Sequence, residues 1–310
     1  MQRAGNLALP IGREGSKGPP RRRTGIYWVM APRVGIFIVP AAGDHELTVA
    51  QAEAADRAGL DAVAIQDHPY QRRFLDTWTL LSYLAARTER VTLLPDVVNL
   101  PLRVPTVLAK SVASLDLLSG GRVELGIGAG AFWEGVEAMG GPRRTPGESV
   151  DALAEAIEII RRFLRADGGI RFDGEHYQVA GAKPGPAPAH DVGIWVGAYG
   201  PRMLRLTGRL GDGWLPSVGG SYMDPADVPA RQRAIDEAAK RAGRDPGAIV
   251  RAANVGVGGD GDWLDPETLA RTATELGFEL LLVSVPPDDP LEFIRRLGED
   301  AAPRARELAG

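Results

Sequence analysis

The chain has 310 residues, 44% of them hydrophobic and 25% charged, which is ordinary for a globular protein with a large core. A formal net charge of −4 argues against nucleic-acid and anionic-membrane partners, because the general field repels both, and the apolar runs are too short to span a bilayer. The lack of cysteine excludes disulfides, thiolate nucleophiles and cysteine-bound metals, and it fits a cytoplasmic protein.

The first 33 residues differ in composition from the rest of the chain. They are rich in glycine, proline and arginine and have no apolar periodicity, so we predict a disordered tail over residues 1–33. They also lack the apolar core of a signal peptide, which leaves secretion without support. Met30 stands just before the first predicted strand, so Met1 and Met30 are both candidate start sites.

From residue 34 onward, apolar runs typical of buried strands alternate with helical patterns. Eight strands and eight helices in strict alternation predict a parallel sheet closed on itself, a (β/α)₈ TIM barrel forming one domain over residues 34–305. An Asp-Gly turn between strand-prone flanks also predicts a small hairpin insertion within residues 170–188. The predicted strands are 34–39, 61–66, 91–97, 122–127, 192–196, 213–217, 249–256 and 279–284, and the helices begin near Glu46, Leu75, Pro105, Gly147, Pro201, Pro225, Asp265 and Pro290.

The second predicted strand ends abruptly in an acid and an imidazole, Asp67 and His68, followed by Pro69. The carboxyl ends of barrel strands form the catalytic face, so these side chains are candidates for chemistry. A carboxylate beside an imidazole can fix the ring tautomer or raise its basicity, which suits proton exchange near neutral pH. The alternative is a surface turn, where aspartate and proline are both common.

Two glycine-containing loops follow strands. In the first, Gly197, Ala198, Tyr199 and Gly200 lead into a helix, where free N–H groups and the positive helix end attract phosphate. Pro201 and Arg202 begin that helix, and Arg202 adds a charged donor. This favours a phosphate site over an ordinary turn.

In the second loop, residues 126–131 fit the dinucleotide fingerprint G-x-G-x-x-A, but no helix begins at once, so we reject that interpretation. We interpret Gly128 and Gly130 as making room for a flat ring at the barrel mouth. Phe132 and Trp133 then cap a pocket, the alternative being that they cover the barrel rim.

Other barrel chemistries have little support in the residue pattern. The four histidines show no H-x-H or H-E-x-x-H spacing, so no catalytic metal is predicted. None of the four lysines ends a predicted strand, which gives a Schiff-base aldolase little support.

Together, these motifs resemble the luciferase-like flavin- and deazaflavin-dependent oxidoreductases over about residues 34–305. The resemblance implies a TIM barrel, usually a homodimer, that binds reduced flavin mononucleotide (FMN) or the deazaflavin coenzyme F420. The motifs that carry the resemblance are residues 67–68, 99–105, 118–130, 196–201 and 211–214.

The resemblance also implies roles for individual residues. His68 matches the catalytic or substrate-orienting histidine, and Asp67 its acidic neighbour, expected to orient it. Asp96 and Val97 match a non-prolyl cis peptide that buttresses the ring. The chain departs from the pattern at Asp96 and Tyr199, where small residues are usual, and it lacks a glutamate that some deazaflavin members carry after the fourth strand.

We therefore expect an oxidoreductase that transfers hydride between F420 and a small organic substrate, with His68 moving the accompanying proton. An FMN-dependent monooxygenase that uses oxygen and a non-catalytic flavin-binding protein are the alternatives. The substrate side is expected to include Arg103, Phe132 and Trp133. The cofactor is expected to contact Asp96, Val97, Asn99, Gly128, Gly130, Gly197, Ala198, Tyr199, Gly200, Pro201 and Arg202.

Overall fold

The computed structural model describes residues 22–24, 27–29, 31–257 and 261–310. Two short strands, Arg22–Thr24 and Tyr27–Val29, pair antiparallel within the segment for which we predict disorder. Arg33, the last residue of the predicted tail, is the first residue of a barrel strand, and its N–H donates to the Glu279 carbonyl at 2.9 Å, so the predicted tail is too long at this end. The rest of residues 1–30, including Met1 and Met30, lies outside the described residues, so the disorder and the start site stay predictions.

The central feature of the described chain is a parallel barrel of eight strands. The strands are β1 Arg33–Ile38, β2 Ala62–Ile65, β3 Thr92–Pro95, β4 Leu125–Gly128, β5 Ile194–Val196, β6 Gly213–Trp214, β7 Val250–Val255 and β8 Leu280–Ser284. Their order in the sheet is β3-β2-β1-β8-β7-β6-β5-β4, and a short strand, Val98–Asn99, also pairs with β4. The barrel closes where Leu93 of β3 bridges Val123, just before β4, and this confirms the predicted (β/α)₈ architecture.

A helix follows each strand and begins within three residues of its predicted position. These helices are α1 His45–Arg57, α2 Thr77–Ala85, α3 Pro105–Ser119, α4 Pro146–Leu164, α5 Pro201–Leu210, α6 Val228–Arg241, α7 Pro266–Leu276 and α8 Pro290–Arg296. Proline occupies the first turn of α3, α5 and α8, because a residue without an N–H is tolerated there. The largest difference is at α6, which follows a 3₁₀ turn at Pro225–Asp227.

The start of α4 shows how the sequence sets a helix boundary. The Thr145 side chain accepts from the Glu148 N–H, and the Glu148 carboxylate accepts from the Thr145 N–H at 2.7 Å. This capping box satisfies two N–H groups that the helix itself cannot. None of the helices in the described residues is long and apolar enough to cross a membrane.

Apolar side chains fill the molecule on both faces of the strands. One buried cluster includes Ala64, Leu94, Trp195 and Leu282, and a larger one packs the strands against the helices. The predicted hairpin is confirmed, since Ile170–Asp173 pairs antiparallel with Gln178–Ala182. This packed barrel holds the carboxyl ends of the strands in place, where the candidate site lies.

Candidate active site

A cavity of about 580 Å³ lies at the carboxyl ends of the barrel strands. Its walls come from the ends of the strands β1 to β7 or from the segments that follow them. Most residues predicted from the sequence meet here. Those that line the cavity are Asp67, His68, Asp96, Val97, Asn99, Gly128, Gly130, Phe132, Gly197, Tyr199 and Gly200.

Five predicted residues lie outside this lining. Ala198 is buried behind the wall, where its carbonyl accepts a hydrogen bond from the Trp214 indole at 2.9 Å. Arg202 pairs with Asp151 of α4 at 2.9 Å. The others are Pro201 at the start of α5, Trp133 at the start of the short helix Trp133–Ala138, and Arg103 in the segment after β3.

His68 is held in the cavity by aromatic neighbours. Its ring stacks on Tyr70 with centroids 5.4 Å apart and meets Phe132 at 5.5 Å, while Nδ1 lies 3.4 Å from the Gln66 amide nitrogen. Burial lowers the pKa of His68, although the charge of Asp67 opposes this shift. The imidazole is therefore neutral near pH 7 and able to take up a proton.

The contacts of Asp67 differ from those expected. One carboxylate oxygen accepts from the Asn99 N–H at 3.1 Å, and the other accepts from Arg103 Nη2 at 3.0 Å. The same guanidinium nitrogen donates to Asp76, the N-cap of α2, at 2.8 Å. Both oxygens of Asp67 thus bind the segment after β3, and these contacts do not support an orienting role toward His68.

The peptide bond between Asp96 and Val97 is cis, as the resemblance implied. The Val97 side chain packs against two glycines of neighbouring strand ends. A Cβ at Gly128 would lie 2.8 Å from Val97 Cγ2, and one at Gly197 would lie 3.1 Å from it. A side chain at Gly128 would therefore force Val97 to shift, and one at Gly197 would pack tightly against it.

Four side chains of the lining have a buried polar atom without a hydrogen-bond partner in the described part of the protein: Tyr70, Asp96, Asn99 and Asn254. Buried polar groups are normally paired, so such a concentration points to a polar ligand. Burial raises the pKa of Asp96 to about 7, against the effect of the Asn254 side chain. Burial also raises the pKa of Tyr70 to about 12.

These atoms share the cavity with apolar side chains, including Phe37, Val97 and Leu215. A flat aromatic ring with polar edges fits such a lining. Its faces can pack against the apolar walls, and its polar edges can hydrogen-bond to the unpartnered atoms. Within the described residues, no cluster of three or more histidine or acidic side chains could hold a metal ion.

The polar lining residues that are not predicted from the sequence include Tyr70, Ser217, Tyr222 and Asn254. Ser217 links two other lining residues, because its N–H donates to the Tyr199 hydroxyl at 2.8 Å and its Oγ accepts from the Asn254 amide at 3.3 Å. Asn254 gave a usable signal, because an amide inside an apolar strand needs a partner. Tyr70 and Tyr222 lie in loops and gave none.

Comparison with known proteins identifies the family. The model of the luciferase-like monooxygenase family matches residues 27–259. The chain belongs to this family. It is 32% identical to 5,10-methylenetetrahydromethanopterin reductase from Archaeoglobus fulgidus over 89% of this chain and 77% of that protein.

Two further comparisons extend across most of the chain. It is 30% identical to F420-dependent glucose-6-phosphate dehydrogenase from Intrasporangium calvum, over 82% of this chain and 93% of that protein. The solved structure of an F420-dependent secondary alcohol dehydrogenase in complex with an F420-acetone adduct superposes with a TM-score of 0.77. It is 19% identical and covers 89% of this chain and 99% of that one, which supports the shared barrel fold.

Proposed function

We propose that this luciferase-like protein is an oxidoreductase that uses coenzyme F420 to transfer hydride to or from a small organic molecule. The observation that carries the proposal is the similarity, along most of both chains, to an F420-dependent glucose-6-phosphate dehydrogenase. The cavity supports it, because its apolar walls and unpartnered polar atoms suit a ring system of this kind.

The cofactor ring is assigned to the cavity beside Val97, Gly128 and Gly197, and its phosphate to the loop that precedes α5. Gly200 and Pro201 place the free N–H groups of the helix start beside the cavity, and these groups favour an anion. Arg202 is half-exposed and paired with Asp151, so it can turn toward a phosphate at small cost. When bound, F420 supplies the carbon that carries the hydride.

His68 is assigned the proton that accompanies the hydride. Nδ1 lies beside Gln66, so Nε2 is the nitrogen we assign to proton exchange with the substrate. Tyr70 and Phe132 hold the ring in place, and burial keeps the imidazole neutral. The contacts of Asp67 with Asn99 and Arg103 fix the loop that carries His68.

Titration of the purified protein with oxidised F420 and with FMN tests the proposal. We expect F420 to bind more tightly, because the exposed side chains of Arg202 and Arg205 would attract its anionic tail beyond the phosphate. Its affinity should fall as salt rises. Tighter binding of FMN, or oxygen consumption with substrate, would favour the monooxygenase alternative. Binding without turnover of any alcohol, sugar phosphate or pterin would favour a non-catalytic flavin-binding protein.

We further propose a homodimer in the cytoplasm. Exposed apolar side chains on the adjacent helices α2 and α3 support the dimer, since Tyr83 is 54% exposed and Val107 61% exposed. Exposed apolar side chains that lie together are typical of protein interfaces. Light scattering of the eluting peak in size-exclusion chromatography gives the mass and decides between monomer and dimer.

A further inference from the structure

Asp96 is an acidic side chain buried in the wall of the cavity, directly after β3. The residue is 8% exposed, and its Oδ2 atom has no hydrogen-bond partner within the part of the chain that the structure describes. The backbone is fixed, because the Asp96 N–H donates to the Ile65 carbonyl at 2.7 Å. A buried carboxyl group in this position needs either a proton of its own or a donor from a ligand.

The neighbours of Asp96 supply no cation. Tyr199 faces it from the segment after β5, and the Tyr199 hydroxyl accepts from the Ser217 N–H at 2.8 Å. A hydrogen bond from the Asn254 side chain of β7 acts against the effect of burial on the pKa of Asp96, while Asn254 Oδ1 is itself buried without a hydrogen-bond partner among the described residues. Two atoms that both lack partners thus border the same cavity.

The other titratable groups of the cavity do not stabilise a second negative charge. Asp67 is an acid, His68 is neutral, and Tyr70 and Tyr222 are phenols. No lysine or arginine belongs to the lining among the described residues, and Arg103 is bound to Asp67 and Asp76. The local field therefore favours the neutral acid at Asp96.

We propose that Asp96 is a ligand-binding acid of this cavity: its protonated carboxyl group donates a hydrogen bond to a carbonyl oxygen of the bound heterocycle, and Asn254 Oδ1 accepts from that ligand's N–H edge. This inference rests on the proposed function, since it assigns the polar edge of the ring to these two side chains. It makes ligand binding depend on one proton held by the protein.

The sign of the pH effect follows from the direction of the shift. Burial raises the pKa of Asp96 to about 7 from 3.8. The folded protein therefore holds the proton more tightly than the unfolded chain, so stability from this group falls as pH rises between these two values and is constant above them. Ligand affinity, which needs the proton, falls as pH rises above about 7.

A first experiment needs no ligand. Thermal unfolding of the full chain is measured between pH 4.5 and 8 for the wild type, for Asp96→Asn and for the control Glu237→Gln, an exposed member of the Arg241 ion pair. We expect the melting temperature of Asp96→Asn minus that of the wild type to increase as pH rises to about 7, since the amide cannot ionise. The control should follow the wild type. If the melting temperatures of all three proteins change in parallel with pH, the pKa of Asp96 is not raised and the inference is overturned.

A second experiment measures the dissociation constant of oxidised F420, and of FMN, between pH 6 and 8.5. Protonation of the ligand itself affects all variants equally. The ratio of the dissociation constants of two variants at each pH therefore reports the contribution of Asp96 alone. Relative to Asp96→Asn, the wild type should lose roughly tenfold in affinity per pH unit above the pKa of Asp96. Asp96→Ala, which has no donor, should bind about tenfold more weakly than the wild type at pH 6.

The outcomes separate this inference from the proposed function. If a cofactor binds and the wild type and Asp96→Asn show the same pH dependence, the inference is overturned while the proposed function stands. If neither F420 nor FMN binds to any variant, both are overturned. Isothermal titration calorimetry in two buffers of different ionisation enthalpy counts the protons taken up when the cofactor binds. Uptake of a proton at pH 8 by the wild type, but not by Asp96→Asn, supports the inference.

Discussion

The two ends of the barrel use the same residue types in opposite electrostatic states. At the amino end, the fully buried Asp116 accepts from the Ala189 N–H at 2.7 Å and from His190 Nδ1 at 2.8 Å. Burial opposes ionisation of Asp116, but the hydrogen bonds from His190 and Ala189 hold its pKa below the usual value. Hydrogen bonds to Asp116 and Glu124 raise the pKa of His190 to about 10.

At the carboxyl end, burial dominates both groups. Burial raises the pKa of Asp96 to about 7 and lowers the pKa of His68, so it favours the neutral form of both groups, whereas the amino-end pair is charged. The two acids differ in their hydrogen-bond partners. The protein supplies donors to Asp116 at the amino end, whereas Asp96 Oδ2 at the carboxyl end has no partner among the described residues. A buried acid or histidine with complete partners supports the fold, whereas one without them marks a place for a ligand.

The largest effect we predict is on stability at the amino end. Asp116→Ala should lower the free energy of unfolding by about 3 kcal/mol or more, because it removes the acceptor of His190 Nδ1 and of the backbone N–H groups of Ala189 and His190. Denaturant unfolding followed by circular dichroism gives this value. The matched control is Asp151→Ala, whose carboxylate is half-exposed and should cost below about 1 kcal/mol. Equal losses for the two variants would contradict the assignment of Asp116 to structure.

The next effect is on catalysis at the carboxyl end. His68→Ala should reduce turnover with F420 and substrate by roughly a hundredfold, while cofactor affinity changes little, since the imidazole moves a proton in the chemical step. Steady-state kinetics and cofactor titration separate the two quantities. His176→Ala, in the hairpin and outside the cavity, is the control and should keep its turnover. Near-normal turnover of His68→Ala would return His68 to a packing role.

The smallest effect concerns the segment that leads into the amino end. Deleting residues 1–30 should leave the melting temperature and cofactor affinity unchanged, because the composition of this segment predicts no packing on the barrel. Differential scanning calorimetry of the shortened and full chains checks this. A drop of several degrees would show that the barrel's amino end is incomplete without the segment.

The sequence predicted the barrel because its signals are local. Alternating apolar runs locate the strands, and Pro105, Pro201 and Pro290 mark helix starts within one turn. The site was harder, because its contacts join distant segments. Arg103 reaches Asp67 across 36 positions, a pairing that no local pattern encodes. The cis peptide was anticipated from the family resemblance alone, since neither Asp96 nor Val97 has a local preference for it.

The shared guanidinium of Arg103 has a consequence for how this protein can change over evolution. By pairing with Asp67 and Asp76 at once, it joins the segments after β2 and β3 to the start of α2 on the side of the mouth that carries His68. The neighbouring segment 129–142 meets this side through the ring of Phe132, whose centroid lies 5.5 Å from that of His68; Phe132 is 60% exposed and adopts a left-handed backbone conformation. New substrate selectivity can therefore arise by substitution elsewhere in that segment, while Phe132 and the proton-transferring side are inherited unchanged.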